Sequence, residues 1–176
     1  NPYESHEQYI CLAQRIVEAQ VANAARLVTF DVRLSHTAGR SQEWYRVNPG
    51  TDGVIALAMA QHIFQQGLQD KEFLTRWTNM PLPKLAEHIS QYTPEQAEKI
   101  SGVKAADIRR LALEFVQTKP AVTLTGRGVS GHKKGVLNER CIALLNAVVG
   151  NIDVAGGCCL PRTVELGEPK WKSPFS

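Results

Sequence analysis

Two carboxylates and one glycine-rich stretch stand where this chain could hold a polar ligand. Asp52 closes the segment Val47-Asn48-Pro49-Gly50-Thr51-Asp52-Gly53, which runs straight into Val54-Ile55-Ala56-Leu57-Ala58-Met59-Ala60. That order reads as a strand end, a tight Pro-Gly turn and a helix entered through Thr51 and Asp52. A helix start carries backbone N–H groups without intrahelical partners, and beside a carboxylate they can hold a polar ligand. Asp52 would also gain ~0.3–1 kcal/mol from the helix dipole alone, so an ordinary helix start accounts for it equally well. The sharper chemistry is recognition of guanine, whose N1–H and 2-amino group can both donate to one carboxylate in a way adenine cannot reproduce. Asp31 lies at the end of an earlier β-rich run, Phe30-Asp31-Val32-Arg33. It either contacts a ribose hydroxyl or a base, or is a turn residue paired with a nearby cation. Two polar strand tips so close in sequence point to one crevice at the edge of a doubly wound sheet.

Gly126-Arg127-Gly128-Val129-Ser130-Gly131-His132 follows a third β-rich run. Its glycines would let the backbone approach a ligand. Read as a dinucleotide fingerprint it fails, because the third glycine falls at Gly131 and the next helix starts several residues later. His132 could donate to a phosphate or a ring nitrogen, or it could be a surface-loop histidine. No nucleophile stands on an elbow motif and no pair of carboxylates forms an acid–base couple, so no catalytic residue is assigned. No C-x-x-C spacing occurs among Cys11, Cys141, Cys158 and Cys159, so no zinc site or iron–sulfur cluster is readable and no metal ligand is assigned. The chain's own residues describe a binding module.

The elements that must position these residues follow from periodicity. Glu4 to Ala22 reads as an amphipathic helix, and Cys11 within it, like Cys141 later, as a small core residue. Leu27 to Phe30 and Trp44 to Val47 read as parallel strands, and Ala121 to Thr125 as a third. Thr51 to Gln66 is a helix apolar nearly all round in its first half, with Gly67 as its C-cap. Lys71 to Trp77 and Leu82 to Gln91 are shorter helices. Thr93-Pro94-Glu95-Gln96 is a capping box opening a helix that ends at Gly102. Ala105 to Thr118 presents Ile108, Leu111, Ala112, Phe115 and Val116 on one face. Val136 to Val149 is a final helix, closed by a turn through Gly150-Asn151-Ile152-Asp153 and Gly156-Gly157, and the polar tail from Thr163 reads as extended. Strands alternating with helices give an α/β fold, a doubly wound parallel sheet with flanking helices.

The bulk numbers narrow the function classes. The chain has 176 residues and a formal net charge of +3, with basic residues scattered, so nucleic-acid binding has little support. No apolar run approaches the ~20 residues of a membrane span. The opening on Asn1-Pro2, almost at once in a helix, reads as the middle of a fold, so a fragment, a separate domain or a processed piece is expected.

Taken in order, Asn1-Pro2-Tyr3-Glu4-Ser5-His6, Phe30-Asp31-Val32-Arg33-Leu34-Ser35-His36-Thr37-Ala38, Asn48-Pro49-Gly50-Thr51-Asp52, Gly126-Arg127-Gly128-Val129-Ser130-Gly131-His132 and Gly150-Asn151-Ile152-Asp153-x-x-Gly156-Gly157 resemble the molybdopterin oxidoreductases of the dimethyl-sulfoxide-reductase type. The resemblance covers almost the whole chain, and the ordered set is specific where each piece alone is not. It implies a Rossmann-like fragment of a larger multidomain catalytic subunit. The intact subunit would hold molybdenum or tungsten between two molybdopterin guanine dinucleotides, with a [4Fe–4S] centre bound by an N-terminal cysteine cluster that this sequence lacks.

The resemblance further implies that Asn1, Glu4 and Ser5 contact one dinucleotide. Asp31, Arg33, Pro49, Gly50 and Asp52 would hold its guanosine end. Gly128, Val129, Ser130 and His132 would approach the other pterin. Residues 1–119 would then be the guanosine-end binding domain, and 120–176 the start of the following α/β segment with an extended tail. Two departures stand out. Val32 replaces the proline of the common Asp-Pro-Arg, which loosens the turn but keeps both polar residues. Gly131 stands where glutamine is frequent, so no side chain reaches the second pterin from there.

Arg127-Gly128-Val129-Ser130 with Asn138-Glu139-Arg140 and Gly150-Asn151-Ile152-Asp153 is most similar to the thiosulfate, polysulfide and tetrathionate reductase branch, with arsenate reductases nearby. That branch implies anaerobic respiration on a sulfur or arsenic oxyanion and a periplasmic setting. Its implied partners are the rest of the subunit, an iron–sulfur electron-transfer subunit and a membrane anchor. The competing readings are a formate dehydrogenase or nitrate reductase of the same family, a nucleotide-binding hydrolase or transferase on a flavodoxin-like fold, and a non-enzymatic interaction module derived from such a domain.

Overall fold

A computed structural model describes residues 1–4 and 9–161 of the chain. Its centre is a helix that has almost no outward face. Helix α3 (Asp52–Gln65) buries Ile55, Ala56, Leu57, Ala58, Met59, Ala60 and Ile63. The apolar residues fall on every side of the helix, so it must be surrounded. Helices α5 (Leu82–Ser90), α6 (Pro94–Ser101), α7 (Ala105–Gln117) and α9 (Gly135–Val148) pack around it, with α4 (Lys71–Trp77) against α5 and α9. Each outer helix contributes one stripe. Leu85 and Ile89 come from α5, and Ile108, Leu111 and Ala112 from α7.

Local chemistry sets the ends of these helices. Gly67, at φ +70°, closes α3 while Gly67 N–H donates to Phe64 O and Leu68 N–H to Ile63 O, both at 3.0 Å, the paired bonds of a Schellman ending. The expected capping box opens α6: Gln96 N–H donates to Thr93 Oγ1 at 3.3 Å and Thr93 N–H to Gln96 Oε1 at 3.4 Å. Gly102 ends the helix at φ +82°.

Strands β1 (Val28–Asp31) and β2 (Glu43–Arg46) form a parallel pair, with Val28 opposite Glu43 and Asp31 opposite Arg46. The chain is thus mixed α/β with a small parallel sheet. Helix α2 (His36–Gly39) is a single turn in the crossover between the strands, started by the Ser35 side chain accepting from Ala38 N–H at 3.2 Å. Glu43 and Tyr45, two apart and so on one face of β2, meet α7 through Arg110. Its guanidinium reaches Glu43 at 2.6 Å and the Tyr45 hydroxyl at 2.5 Å, and also Glu114 at 2.7 Å. These contacts tie the sheet to the helical core.

Four expectations are corrected. Among the described residues helix α1 runs Tyr9–Asn23, and Glu4 lies in a turn with its carboxylate committed to tertiary contacts. Cys11 is exposed, because the inward stripe of α1 runs through Leu12, Ala13 and Ile16 and residue 11 lies off it. The stretch Gly126–Gly131 is not all loop, since Arg127–Ser130 forms a one-turn helix, α8. Ala121 to Thr125 is extended but is no strand, and among the described residues the sheet has two strands. Its backbone groups are taken by side chains instead. Buried Asn146 accepts from Thr123 N–H at 3.0 Å and donates to Thr123 Oγ1 at 2.7 Å, while buried Asn151 donates to Ala121 O at 2.6 Å. Two asparagines thus do what a neighbouring strand would do. Ser5 and the tail from Thr163 lie outside the described residues.

Asn146→Ala should therefore cost about 1–3 kcal/mol of stability, because it leaves Thr123 N–H without its partner in a region that is half-buried. Urea unfolding of the two chains measures it, and an unchanged midpoint would mean that water replaces the asparagine at no cost.

Candidate functional site

The tips of β1 and β2 end side by side, and the carbonyl of Asp31 binds the next turn to them. It accepts from Val47 N–H at 3.3 Å and from the Trp44 indole at 3.1 Å. Beyond β2 the chain is held to the end of α6, with Asn48 N–H on Ser101 O at 2.9 Å and Asn48 Nδ2 on Ile100 O at 2.8 Å. Pro49 and Gly50 then reverse it, Gly50 at φ +76°, a backbone shape that glycine alone adopts without strain. The Thr51 hydroxyl donates back to Asn48 O at 2.7 Å and makes no cap to the helix. Val54 N–H and Ile55 N–H both turn in to Thr51 O, at 3.0 and 3.4 Å, so the first turn of α3 closes on its own backbone and the Asp52 carboxylate is its polar group.

Asp52 is half-buried, and burial pushes its carboxyl above the ordinary carboxylate range. Its own backbone N–H and the nearby His132 pull in the other direction, and the negative charges of Asp31 and Glu139 add to the rise. Asp31, Asp52, His132 and Glu139 thus share one electrostatic neighbourhood. The His132 side chain also packs on Gly50, with Cβ and Cγ at 3.6 and 3.7 Å from where a Cβ on that glycine would stand.

A second group adjoins the first through the bend after β1. Glu4 accepts from Arg33 Nη2 at 2.6 Å and from His36 N–H at 2.5 Å, and Asn1 Nδ2 donates to it at 3.2 Å. The His36 N–H first, and then Arg33, hold the Glu4 carboxyl below its usual range, while Glu4 raises the Arg33 guanidinium. Thr37 locks the same turn, donating to the Asn1 side chain and accepting from Tyr3 N–H at 3.2 Å. Arg33 N–H meets Asp31 Oδ1 at 3.4 Å, which joins the two groups.

The structure therefore brings Asn1, Glu4, Asp31, Arg33, Pro49, Gly50, Asp52 and His132 to one end of the molecule. Gly128, Val129 and Ser130 lie on α8, connected to the Asp52 turn through His132. A Cβ at Gly128 would meet open space, so packing within the described residues does not require glycine there. Gly135, by contrast, is fixed by the Ser130 backbone that lies against it. The Gly150–Gly157 motif also has a packing cause. Gly150 leaves room for the Asp70 carboxylate, Gly156 for the Pro120 ring at 2.5 Å, and Gly157 for Asn151 O at 2.5 Å.

Asn48, His36, Thr37 and Asn138 serve this site too, although the motifs that contain them gave them no contact role. Asn138, in the first turn of α9, donates to Gly50 O at 2.9 Å. Among the described residues no group of three or more His, Cys, Asp or Glu side chains could hold a metal ion, and no helix is long and apolar enough to cross a membrane.

Residues 1–160 match the family model described as molybdopterin oxidoreductase. The chain is 34% identical over 158 residues to the probable oxidoreductase YoaE of Bacillus subtilis, covering 89% of this chain and 22% of that protein. It is 33% identical over 176 residues to the dimethyl sulfoxide reductase DmsA of Haemophilus influenzae, with the same coverage of 89% and 22%. The thiosulfate reductase molybdopterin-containing subunit PhsA of Salmonella typhimurium is 31% identical over 158 residues, 89% of this chain and 20% of that one. The chain thus spans about a fifth of the length of these relatives. Among solved structures, acetylene hydratase from Pelobacter acetylenicus superposes with a TM-score of 0.73 over 84% of this chain and 20% of its own, at 24% identity, which establishes a shared fold.

The raised Asp52 carboxyl has a consequence for stability. Its proton is held more tightly in the folded chain than in the unfolded one, so stability falls as pH rises from the ordinary carboxylate range through the raised value. Above that window the cost is complete, and below the unfolded pKa of about 3.9 it is absent. Asp52→Asn should accordingly raise the melting temperature at pH 7 and lose that advantage near pH 3. Thermal unfolding at the two pH values tests this, and a variant less stable than its parent at pH 7 would contradict the assignment of burial as the dominant effect.

Proposed function

This chain belongs to the molybdopterin oxidoreductase family, and from that premise we propose that it holds the guanosine end of a molybdopterin guanine dinucleotide against the tips of β1 and β2. The observation that carries this reading is Asp52. It is a half-buried carboxylate that forms no ion pair among the described residues and whose ionised form burial disfavours. Such a group is costly to keep unless a ligand supplies its donors. Guanine brings two donors on one edge, and a single carboxylate at the start of α3 can accept from both. An acceptor at Asp52 and another at Asp31 match the donors of a guanine nucleotide.

Each group has a separate part in holding the ligand. Asp52 accepts from the base and Asp31 from a ribose hydroxyl. Arg33, kept charged by Glu4, turns its remaining N–H groups toward ribose or phosphate oxygens. Asn1 and Glu4 complete that wall. Gly128, Val129, Ser130 and His132 approach the second dinucleotide, so residues 1–119 hold one cofactor and the segment from 120 begins the wall of the other while also bracing, through His132 and Asn138, the turn that holds the first. When bound, the molybdenum or tungsten centre supplies two-electron redox chemistry coupled to transfer of an oxygen or sulfur atom. This chain's residues orient the cofactor and leave the reacting atoms to the rest of the subunit.

The intact protein, on this reading, is the catalytic subunit of a periplasmic enzyme of anaerobic respiration that acts on an inorganic sulfur or arsenic oxyanion. It carries a [4Fe–4S] centre in its N-terminal part and passes electrons to or from an iron–sulfur subunit on a membrane anchor. The thiosulfate reductase relative and the Asn138-Glu139-Arg140 sequence support that substrate class. A sulfoxide substrate is the second reading, favoured by the 33% identity to a dimethyl sulfoxide reductase.

Calorimetric titration of the chain with GDP and with ADP tests the guanosine reading, with Asp52→Ala as the comparison. GDP is expected to bind at least about tenfold more tightly than ADP, a difference of ~1.4 kcal/mol. The preference should vanish in Asp52→Ala. Equal affinity for the two nucleotides in a folded wild-type chain would overturn it.

A further inference from the structure

We propose that Asn138 is the positioning residue of the ligand turn, a bracket that sets where Asp52 stands and couples that turn to α9; this rests on the guanosine reading above. The Asn138 side chain touches the turn on both sides of Thr51-Asp52. Its Nδ2 donates to Gly50 O at 2.9 Å, a contact between residues 88 positions apart. Gly50 is the left-handed residue of the turn, so fixing its carbonyl fixes the peptide plane that hands the chain on to Thr51 and Asp52. On the far side, a Cβ at Gly53 would stand 2.5 Å from Asn138 Oδ1 and 3.0 Å from Asn138 Cα. Gly53 is buried, and α3 can approach α9 this closely only because position 53 has no side chain.

The neighbours of Asn138 act on the same turn. His132 covers Gly50, with its Cβ 3.6 Å from the position a side chain there would take. Glu139, the next residue along, contributes to the charge that raises the Asp52 carboxyl, and the Thr125 hydroxyl donates to it. The first turn of α9 therefore fixes both the place of Asp52 and part of its electrostatic setting. An asparagine that merely stapled two helices would alter melting temperature alone. A bracket alters the discrimination between guanine and adenine, because a carboxylate that must meet two donors at once tolerates little displacement.

Four variants decide it: Asn138→Ala, Gly53→Ala, the two combined, and Leu145→Val. Leu145 is buried in α9 at 2% exposure and has no part in the turn, so it controls for loss of stability alone. Each is titrated with GDP and ADP and melted. Asn138→Ala is expected to weaken GDP binding about tenfold and draw the GDP-to-ADP ratio toward one, the size of effect that one lost positioning hydrogen bond produces. Gly53→Ala does the same by pressing on Asn138 Oδ1. The combined variant loses clearly less than the product of the two single losses, because both act through one contact. Leu145→Val lowers the melting temperature and keeps the ratio.

An unchanged ratio in Asn138→Ala, or losses that simply multiply, would overturn the bracket in a chain that prefers GDP. If the wild-type chain itself shows no preference, the guanosine reading falls, and the amide chemical shifts of Thr51, Asp52 and Gly53 then decide the bracket alone. Shifts that move in Asn138→Ala and stay in Leu145→Val uphold it, and unmoved shifts overturn it.

Discussion

Everything at the ligand end depends on the burial of one helix. Because α3 is apolar on every side in its first half, it cannot rotate or slide without exposing Ile55, Leu57, Met59 or Ile63 to water. Burying each such side chain contributes roughly 1.5–3 kcal/mol, and in α3 several are buried together. The course of the helix on which Asp52 stands is therefore set by the core, and the Asn138 contact at its first turn acts on a helix already held in place. The sheet is small by comparison, and its part is to deliver two strand tips to the point where α3 begins.

This division explains which parts of the molecule were legible in its sequence. The helical periods and the end signals Gly67, Thr93 and Gly102 are local, and each is found where the pattern places it. The Pro-Gly-Thr-Asp turn was legible for the same reason, since Gly50 and Thr51 act within a few residues of themselves. What was not legible is non-local. Ala121 to Thr125 has the composition of a strand, and only the positions of Asn146 and Asn151 reveal that its partners are side chains. Glu4 has the composition of a helix start, yet its carboxylate is taken by Arg33 and by the backbone of His36, 32 residues away in sequence. Polar residues that act at a distance leave no period in the sequence.

The glycines teach a related lesson. Gly128 faces open space, whereas Gly150, Gly156 and Gly157 each lie under another group that leaves no room for a side chain. The same residue type, in motifs of similar appearance, thus stands at an open surface in one place and in close packing in the other. Family motifs are mixtures of the two, and only the contacts separate them. The carboxylates divide similarly. The ionised form of Glu4 is favoured by its neighbours, while burial disfavours that of Asp52.

The contact between Gly50 and Asn138 also dictates an order of events. The two residues lie 88 positions apart, so during synthesis the turn leaves the ribosome long before the residue that fixes it. At ~5–20 residues per second the interval lasts several seconds, long on the scale of helix formation. In that interval α3 has no α9 to cover it, and its apolar side facing α9 is open to chaperones and to aggregation. The Pro49-Gly50 turn can thus take its final shape only once α9 has emerged.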